Sequence, residues 1–341
     1  MFDQPIVALI AFGAAAAVIA LAGISMSSTA DKLADRTGFG EALVGGILLG
    51  ASTSLSGTVT SVTAALDGYA ELAVANAIGG IAAQTVFLAI ADIVYRKSNL
   101  EHAAASETNL IQGALLVVML ALPALAMTMP DFAIFAVHPV TPVLLAVYLF
   151  GLKLSRGAQE APMWQPMKTE ETHDDIPEEP SPDDESMARL FGRFAVLLVV
   201  MGVCGWVLAR SAVTIADWAN MSETVVGTFF TAITTSLPEL VTTVAAVRRG
   251  ALQLAVGGII GGNTFDVLFL VASDVAYRDG SIFHAIDDRA LFLLVWAILM
   301  TGILLLGLIR RERYGVGGIG FESAALITVF AGGVAVQAVQ G

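Results

Sequence analysis

One apolar segment of the chain holds a proline, a carboxylic acid and two hydroxyls within five residues. It reads Thr235-Ser236-Leu237-Pro238-Glu239 and lies inside a stretch, 223–247, that is long enough to cross a bilayer. Because Pro238 has no N–H and clashes with the carbonyl four residues back, a helix must kink or break there. Carboxylate, hydroxyls and loosened carbonyls form an all-oxygen set that suits a hard cation. The segment therefore predicts a cation-binding site; the alternative for Glu239 is a protonated acid that hydrogen-bonds to a neighbouring helix.

The composition of the whole chain places this segment in a membrane. Of 341 residues, 56% are apolar and 14% are charged, and the mean hydropathy is +0.78, whereas a soluble domain has about 25% charged residues. An ordinary soluble enzyme and a disordered chain are therefore excluded. The single cysteine, Cys204, excludes an intramolecular disulfide and a multi-cysteine metal centre. No nucleic acid is expected as a partner, since 30 Asp and Glu outnumber 17 Lys and Arg.

Ten stretches are long and apolar enough to be transmembrane helices, and the distribution of Lys and Arg predicts their orientation. With the N-terminus outside, the inner loops hold 14 of the 17 basic residues and the outer loops hold three. We therefore expect an integral membrane protein of the cell (inner) membrane, with the central connection in the cytoplasm. The ten stretches are 5–26, 42–66, 71–95, 108–129, 133–152, 190–209, 223–247, 252–274, 290–309 and 317–339.

The central connection separates two regions with equal numbers of spans. Residues 170–185 hold nine Asp and Glu and no Lys or Arg, and a run of this kind cannot bury enough surface to order itself. It predicts a solvated tether, with calcium sensing or partner binding as the alternative. The predicted organisation is a first five-span repeat at 1–152, an acidic cytoplasmic loop at 153–189 and a second five-span repeat at 190–341.

The two regions are related by an internal repeat. A shift of 182 residues aligns 44–92 with 226–274 without a gap, and 19 of the 49 positions are identical. Because five is an odd number, the two halves must cross the membrane in opposite directions. The predicted fold class is therefore all-α integral membrane, with ten transmembrane helices arranged as two inverted five-helix repeats. Secondary transporters have this architecture, with a midplane site between the repeats.

Polar residues in the spans after the break extend the candidate site. Gly79-Gly80 and Gly261-Gly262 occupy equivalent places in spans 3 and 8, and such small residues predict close packing against the broken spans. Asn263 follows the second pair and is a candidate cation or water ligand. Asp266, one turn further on, is a candidate second acid, or else a structural hydrogen-bonding group.

Other polar residues of the spans are expected to be structural. Asp92 and Asp274, near the ends of spans 3 and 8, are expected to lie at the membrane interface. The hydroxyls of the broken spans are expected to donate back to carbonyls of the preceding turn, or to lie at tight interfaces with Gly. They are Thr58, Thr60, Ser61, Thr63, Thr242 and Thr243.

These residues resemble the calcium/cation antiporter superfamily, the sodium/calcium exchangers and their relatives. That family has two inverted repeats, each with Thr-Ser-Leu-Pro-Glu on a broken helix, and a following helix that carries Gly-Ser-Asn-Ile-Phe-Asn or a near variant. The segment 235–239 matches the first motif completely. The segment 261–266, Gly-Gly-Asn-Thr-Phe-Asp, is similar to the second, with Gly for Ser and Asp for the last Asn. The ten-span arrangement covers the whole chain.

The first repeat departs from the family pattern. Thr53-Ser54-Leu55 is kept, but Ser56 stands in the proline place and Gly57 in the glutamate place. The second motif is replaced by 79–84, which ends in Gln84. The family's cation site draws on both repeats and two glutamates, and this chain keeps one of the two. Gly57 can loosen the helix, but it supplies no charge.

The resemblance implies a secondary active cation antiporter of the sodium/calcium exchanger type, which works by alternating access around a midplane site with a single glutamate. No cofactor is expected; the expected partners are inorganic cations (Ca2+, Na+ or H+) and the lipid bilayer, and the oligomeric state is left open. The expected cation-binding residues are Glu239, Thr235, Ser236, Thr53, Ser54 and Asn263, with Glu239, Asn263 and Asp266 as metal ligands and Asp266, Gly57 and Gln84 as additional or indirect contributors.

The missing glutamate has an electrostatic consequence. One carboxylate leaves one charge of a divalent cation unbalanced at low dielectric, which is costly. We therefore expect weaker divalent binding unless Asp266 restores the second charge. The alternatives are a proton- or sodium-coupled exchanger of a monovalent or another divalent cation, and a non-transporting sensory or structural relative. An intramembrane enzyme is a third class, but no span shows a clear catalytic pair.

Overall fold

The computed structural model describes residues 4–37, 53–160, 163–170, 172, 185–315 and 318–340. Within them, eight helices are long and apolar enough to cross a bilayer, and a further span is bent by 42° at a break after Thr235. A shorter apolar helix, Leu55–Leu66, covers the end of predicted span 2. The first part of that span, 42–52, and most of the acidic run, 173–184, lie outside the described residues. The chain is an all-helical membrane protein, and the count of ten spans stays a prediction.

The helices are numbered in chain order, with the bent span counted as two helices and the 3-10 turn Ile282–His284 left unnumbered. They are α1 Pro5–Thr37, α2 Leu55–Leu66, α3 Ala70–Tyr95, α4 Leu100–Ala103, α5 Glu107–Thr128, α6 Val140–Glu160, α7 Met187–Ala219, α8 Glu223–Thr235, α9 Leu237–Arg249, α10 Leu252–Asp266, α11 Leu268–Ala276, α12 Asp288–Arg310 and α13 Phe321–Gln340.

The predicted bounds lie within two residues of those of α3, α5 and α12, whereas α1 ends 11 residues and α7 ends 10 residues after the predicted spans. Span 5 is displaced at both ends. That span was expected from 133, but α6 begins at Val140. Phe135 and Ala136 have positive φ angles, and Ile134 forms a short bridge with Val137, so the chain makes a tight turn before the helix. The apolar character of 133–139 therefore belongs to a turn, which hydropathy alone does not distinguish from a helix.

The core of the bundle is α3. It is apolar all round and buried along almost its whole length, as expected for a helix enclosed by other helices. Gly79 lets it approach α8 closely, since a Cβ at this position would lie 2.8 Å from the Thr228 Cα. In contrast, α1 and α7 expose large apolar side chains such as Leu21 and Val199, which is the surface that lipid covers.

The two halves of the chain make equivalent contacts at the 182-residue offset. Gly205 in α7 packs on the carbonyl of Ser56, and Gly23 in α1 packs in the same way on the ring of Pro238. Gly205 is offset by 182 from Gly23, and Pro238 by 182 from Ser56. The sequence repeat therefore corresponds to a repeat in packing.

Two buried aspartates tie the halves together, each with three equivalent hydrogen bonds. Asp92 accepts from the backbone N–H of Leu100 (2.8 Å), the N–H of Gly320 (3.0 Å) and the hydroxyl of Ser323 (2.8 Å). Asp274 accepts three equivalent hydrogen bonds, from residues that lie 182 positions from the donors of Asp92. The donors are the N–H of Ile282 (2.9 Å), the N–H of His138 (2.8 Å) and the hydroxyl of Thr141. We call these the Asp92 knot and the Asp274 knot.

Both aspartates are buried inside the protein, and their expected position at the membrane interface stays a prediction. Each is 0% exposed. A carboxylate can be buried at this depth because donors from two other segments satisfy its oxygens. Each knot joins the end of a core span to the start of a span in the opposite half, so it holds the halves in register.

We predict that Asp274→Ala destabilises the protein by about 3 kcal/mol or more, because hydrogen bonds to a charged group contribute about 1.5–3 kcal/mol each. The measurement is the unfolding temperature in detergent. Asp279→Ala, at an exposed position a few residues away, is the matched control and should change it little. Equal unfolding temperatures for the two variants would contradict the knot's role.

Candidate cation site

The break in the bent span lies at Ser236, as Pro238 predicts. Ser236 follows the last residue of α8 and precedes α9, with φ −94° and ψ 3°. Pro238 then occupies the first turn of α9, where its missing N–H would have no helical partner in any case. Glu239 follows in the same turn, and the N-terminus of a helix favours a negative charge. The local sequence thus sets both the break and the acid beside it.

A second acid, Asp266, lies close enough to interact electrostatically with Glu239. Glu239 is 5% exposed and Asp266 is 1% exposed. The Ser54 side chain adjoins both carboxylates, and the Thr53 side chain adjoins that of Glu239. Neither carboxyl oxygen of Glu239 has a regular hydrogen-bond partner, so these side chains lie near Glu239 without the geometry of a regular hydrogen bond. Residues from both halves of the chain therefore converge on one buried pair of acids.

Gln84 connects this pair to the break. Its side-chain N–H donates to Asp266 Oδ2 at 2.6 Å and to Ser236 Oγ at 3.2 Å. Gln84 and Asp266 are separated by 182 residues, so they are equivalent positions of the two halves in direct contact. The contact of Ser236 with Gln84 likewise corresponds to that of Ser54 with Asp266. Equivalent positions of the two halves therefore meet within the site.

Asn263 is held by a residue that the sequence did not single out. Its amide N–H donates to the hydroxyl of Thr85 at 3.0 Å, and that hydroxyl donates to the carbonyl of Ile81 at 2.7 Å. This arrangement leaves the Asn263 amide oxygen without a partner. Thr85 adjoins Gln84 in sequence, but nothing in its spacing distinguishes it from the other hydroxyls that bond back to their own helix.

The site concentrates buried oxygen atoms that have no hydrogen-bond partner. A buried polar atom left unpaired costs free energy, so native structures pair most of them with protein groups, water or ions. Such atoms near carboxylates form a ligand set for a hard cation. The unpaired oxygens are Glu239 Oε1 and Oε2, Asp266 Oδ1, Asn263 Oδ1, Gln84 Oε1 and Ser54 Oγ.

Gly57, the position equivalent to Glu239, faces an aromatic ring. A Cβ on Gly57 would lie 2.7 Å from Cε2 of Phe269 and 3.1 Å from its Cζ. Phe269 packs edge-on against Phe265, which packs in the same way against Tyr148. The space next to the first-repeat position is thus filled by a ring, and this aromatic wall (Phe269, Phe265 and Tyr148) was not predicted from the sequence.

The hydroxyls of the broken span and of α2 behave mostly as predicted. Thr58 and Thr60 donate to carbonyls four residues back, and Thr242 donates to the carbonyl three residues back. Thr235, expected as a cation ligand, also donates to its own helix, at the Ala232 carbonyl (3.2 Å). Its oxygen keeps the lone pairs with which a hydroxyl accepts.

Among the described residues, no group of three or more His, Cys, Asp or Glu is placed to hold a metal ion. The candidate site therefore relies on two acids and on neutral oxygens, unlike a resident metal centre with several charged ligands. Modest charge suits an ion that must leave again.

Long apolar helices around a broken span with buried, unpaired carboxyl oxygens define a class of protein, the helical membrane transporters of cations. The profile of the sodium/calcium exchanger protein family matches residues 7–154 and 189–339, and the chain belongs to that family. Its members are cation antiporters, which are secondary transporters and not enzymes.

Individual relatives agree with this assignment. The chain is 28% identical to the putative antiporter CaxA of Alkalimonas amylolytica over 289 residues, which cover 83% of this chain and 85% of the relative. It is 34% identical to the inner membrane protein YrbG of Escherichia coli over 101 residues, which cover only 30% of this chain and 31% of the relative.

Solved structures establish the fold. The H+/Ca2+ exchanger CAX superimposes with a TM-score of 0.73 at 15% identity, covering 99% of this chain and 85% of that one. The sodium-calcium exchanger NCX_Mj, in a structure without Na+ and Ca2+, gives 0.62 at 16% identity and covers 98% and 99%. At these identities, the likeness concerns the fold alone.

We predict that Gln84→Leu weakens cation binding without preventing folding, because it removes the donor that orients Asp266 and Ser236. The measurement is the rise in unfolding temperature on adding Na+ or Ca2+ at fixed ionic strength. Gln112→Leu, on α5, is the control for the same change of side chain. An unchanged cation response in Gln84→Leu would contradict this role.

Proposed function

We propose that the chain is a secondary active cation antiporter that works by alternating access around the site at the break, with Glu239 as its one glutamate and Asp266 as its second acid. The observation that carries the proposal is the set of unpaired carboxyl and amide oxygens between α9 and α10. An ion in contact with these oxygens would satisfy them, and nothing in the described packing does so otherwise.

Charge balance limits what the site can carry. Two ionised carboxylates are neutralised by one divalent cation, by one proton with one monovalent cation, or by two protons. Each of these loads leaves the site neutral, and a neutral site is far cheaper to enclose in an apolar bundle than a charged one. We therefore propose that Ca2+ or Na+ is exchanged and that protons on Glu239 and Asp266 are the alternative load. The names of CAX and NCX_Mj record proton- and sodium-coupled calcium exchange for those proteins.

The proposed ligands fall into two groups. Glu239, Asp266 and the Asn263 amide oxygen contact the ion directly, and Thr53, Ser54, Thr235 and Ser236 supply hydroxyl or backbone oxygens around it. Gln84 orients Asp266, and Gly57 leaves room for Phe269. No cofactor other than the transported ions is proposed.

The proposed architecture is ten spans in two inverted repeats, with the N-terminus outside and the central loop in the cytoplasm. The paired contacts at the 182-residue offset support two equivalent halves. The proposed location is the inner membrane, which the name of the relative YrbG supports.

The moving part we propose is the pair α1 and α7. The two helices pack extensively on each other, and each meets the site helices through a glycine, Gly23 against Pro238 and Gly205 against Ser56. Because glycine has no side chain to interlock with the neighbouring helix, these contacts favour sliding of α1 and α7 past the site helices. Neither helix contributes a charged group to the site, so sliding would not separate an ion from its ligands.

A sensory or structural role is the second candidate, and one observation favours it. Gly57 supplies no acid at the position equivalent to Glu239, and Phe269 fills the space beside it, so the site has fewer charges than a symmetric one would. Flux in proteoliposomes separates the two candidates, since a sensor would move no cation under any sodium, proton or calcium gradient.

We predict that Glu239→Gln abolishes ion-coupled flux, because the amide keeps the shape of the side chain but cannot carry the charge that balances the ion. Flux is measured in proteoliposomes under imposed sodium, proton and calcium gradients. Glu160→Gln, an exposed acid at the end of α6, is the control and should transport normally. Undiminished flux in Glu239→Gln would rule out the assigned site.

A third carboxylate should be tolerated at position 57 only if the aromatic ring of Phe269 is removed. We predict that Gly57→Glu together with Phe269→Ala binds Ca2+ at least tenfold more tightly than the wild type, because a third carboxylate adds to the attraction that Glu239 and Asp266 exert on a divalent ion. Binding is measured by calorimetry. Gly57→Gln with Phe269→Ala has the same shape without the charge and should show no gain; an equal gain in both would attribute the effect to space alone.

A further inference from the structure

The Asp92 knot differs from the Asp274 knot by two carboxylic acids. Glu101 and Glu322 lie beside Asp92, and the equivalent positions of the other half are Phe283 and Val140. The three hydrogen bonds of each knot are otherwise the same. The Asp274 knot includes an ionisable residue of its own, His138 at the place of Gly320, but it has no acid at the places of Glu101 and Glu322.

Both added acids are buried and lack donors. Glu101 and Glu322 are each 1% exposed, and none of their four carboxyl oxygens has a regular hydrogen bond. The two side chains interact with each other. The Glu322 side chain also lies directly on Gly307 of α12, where any larger residue would displace it. Two carboxyl groups enclosed together in this way cannot both be ionised at low cost.

Among the described residues, the charges that act on the pair are negative. Asp92 acts on both acids and Glu312 acts on Glu322. The three donors beside Asp92 already bond to its oxygens, so they do not serve Glu101 or Glu322. Arg311 is nearby, but its guanidinium donates to the carbonyls of His102 and Met167.

The remaining elements packed on α4 add no charge to the pair. From α12, the ionisable residue at this end is Arg310, which is exposed. The only ionisable residue of α10 is Asp266, which is its last residue and belongs to the ion site. The neighbouring His102 is engaged on both ring nitrogens, by the Arg311 carbonyl (2.8 Å) and the Thr169 hydroxyl (2.9 Å).

We propose that Glu101 and Glu322 form a proton-binding site, separate from the ion site, in which one proton is shared between the two carboxyl groups. With the proton bound, the pair carries one negative charge and an O–H···O⁻ hydrogen bond satisfies two of the four oxygens. Without it, two facing carboxylates adjoin Asp92, and their repulsion acts on the knot that joins α3, α4 and α13. This site does not depend on which ion the protein carries.

The titration of Glu101 is consistent with a bound proton. Burial raises the pKa of Glu101 well above the usual value for glutamate, and the charges of Asp92 and Glu322 raise it further. The folded protein therefore holds a proton that the unfolded chain has lost, so stability falls as pH rises from the ordinary glutamate pKa towards the raised one. Above the raised pKa the destabilisation is complete.

The proton site also adjoins the central connection. Thr169 and Met167 of that connection are held by His102 and Arg311, and Asn99 donates its N–H to the Arg313 carbonyl. A change at the knot therefore reaches the point where the central connection meets the bundle. The Asp274 knot has the same fold without these acids, and it should not respond to pH in this way.

We use the Glu239→Gln, Asp266→Asn protein as the parent, because its ion site cannot titrate. We predict that this parent loses several degrees of unfolding temperature as pH rises from about 5 to 9, and that adding Glu101→Gln removes most of this slope. A failure of the proposed transport function would leave this result unaffected.

A matched variant covers the case in which Glu101→Gln does not fold. Glu101→Phe with Glu322→Val copies the other knot and should fold with little pH dependence over the same range. In the parent background, infrared spectroscopy should show a protonated carboxyl band at neutral pH that disappears in this variant. An unchanged slope in the substituted proteins, or the absence of that band, would overturn the proposal.

Discussion

Every carboxyl oxygen buried in an apolar bundle needs a donor, a proton or a cation, because hydrocarbon offers none. This requirement divides the buried acids of the chain into three kinds. Asp92 and Asp274 are satisfied by protein donors and act as structural knots. Glu239 and Asp266 keep unpaired oxygens at a helix break, where an ion can complete them. Glu101 and Glu322 face each other, where a shared proton serves the same purpose.

The break itself depends on whether the backbone carbonyls that Pro238 leaves unpaired can find partners. A proline within the apolar stretch would leave unpaired carbonyls in lipid, so a break of this kind is tolerated only inside protein or next to a polar cavity. The packing of α3 against α8 through Gly79 provides that enclosure. The same close packing brings Gln84 to Ser236 and Asp266, so the helix that encloses the break also orients its acids.

The two halves keep one framework and differ in charge. Glu239 and Asp266 belong to the second half, and the equivalent residues are Gly57 and Gln84. Both acids of the proposed ion site therefore come from one half, while the other half supplies an amide donor and the hydroxyls near 53–54. Because packing contacts are retained at the offset positions, a duplicated fold can lose a charge without losing its geometry. Membership of the exchanger family describes the framework, whereas the ions proposed to be carried follow from the acids of the proposed site.

Much of this protein could be predicted from local rules. Hydropathy identifies the long spans, Pro238 sets the break, and the 182-residue offset reveals the repeat, since each is a property of contiguous residues or of their spacing. The tertiary structure alone decided that Asp266 lies near enough to Glu239 to act on its charge, that Phe269 fills the space beside Gly57, that Thr85 holds Asn263, and that Asp92 and Asp274 are buried. These contacts join residues that are mostly more than 100 positions apart, and helix packing, rather than residue type, determines whether an acid meets a donor, a ring or another acid.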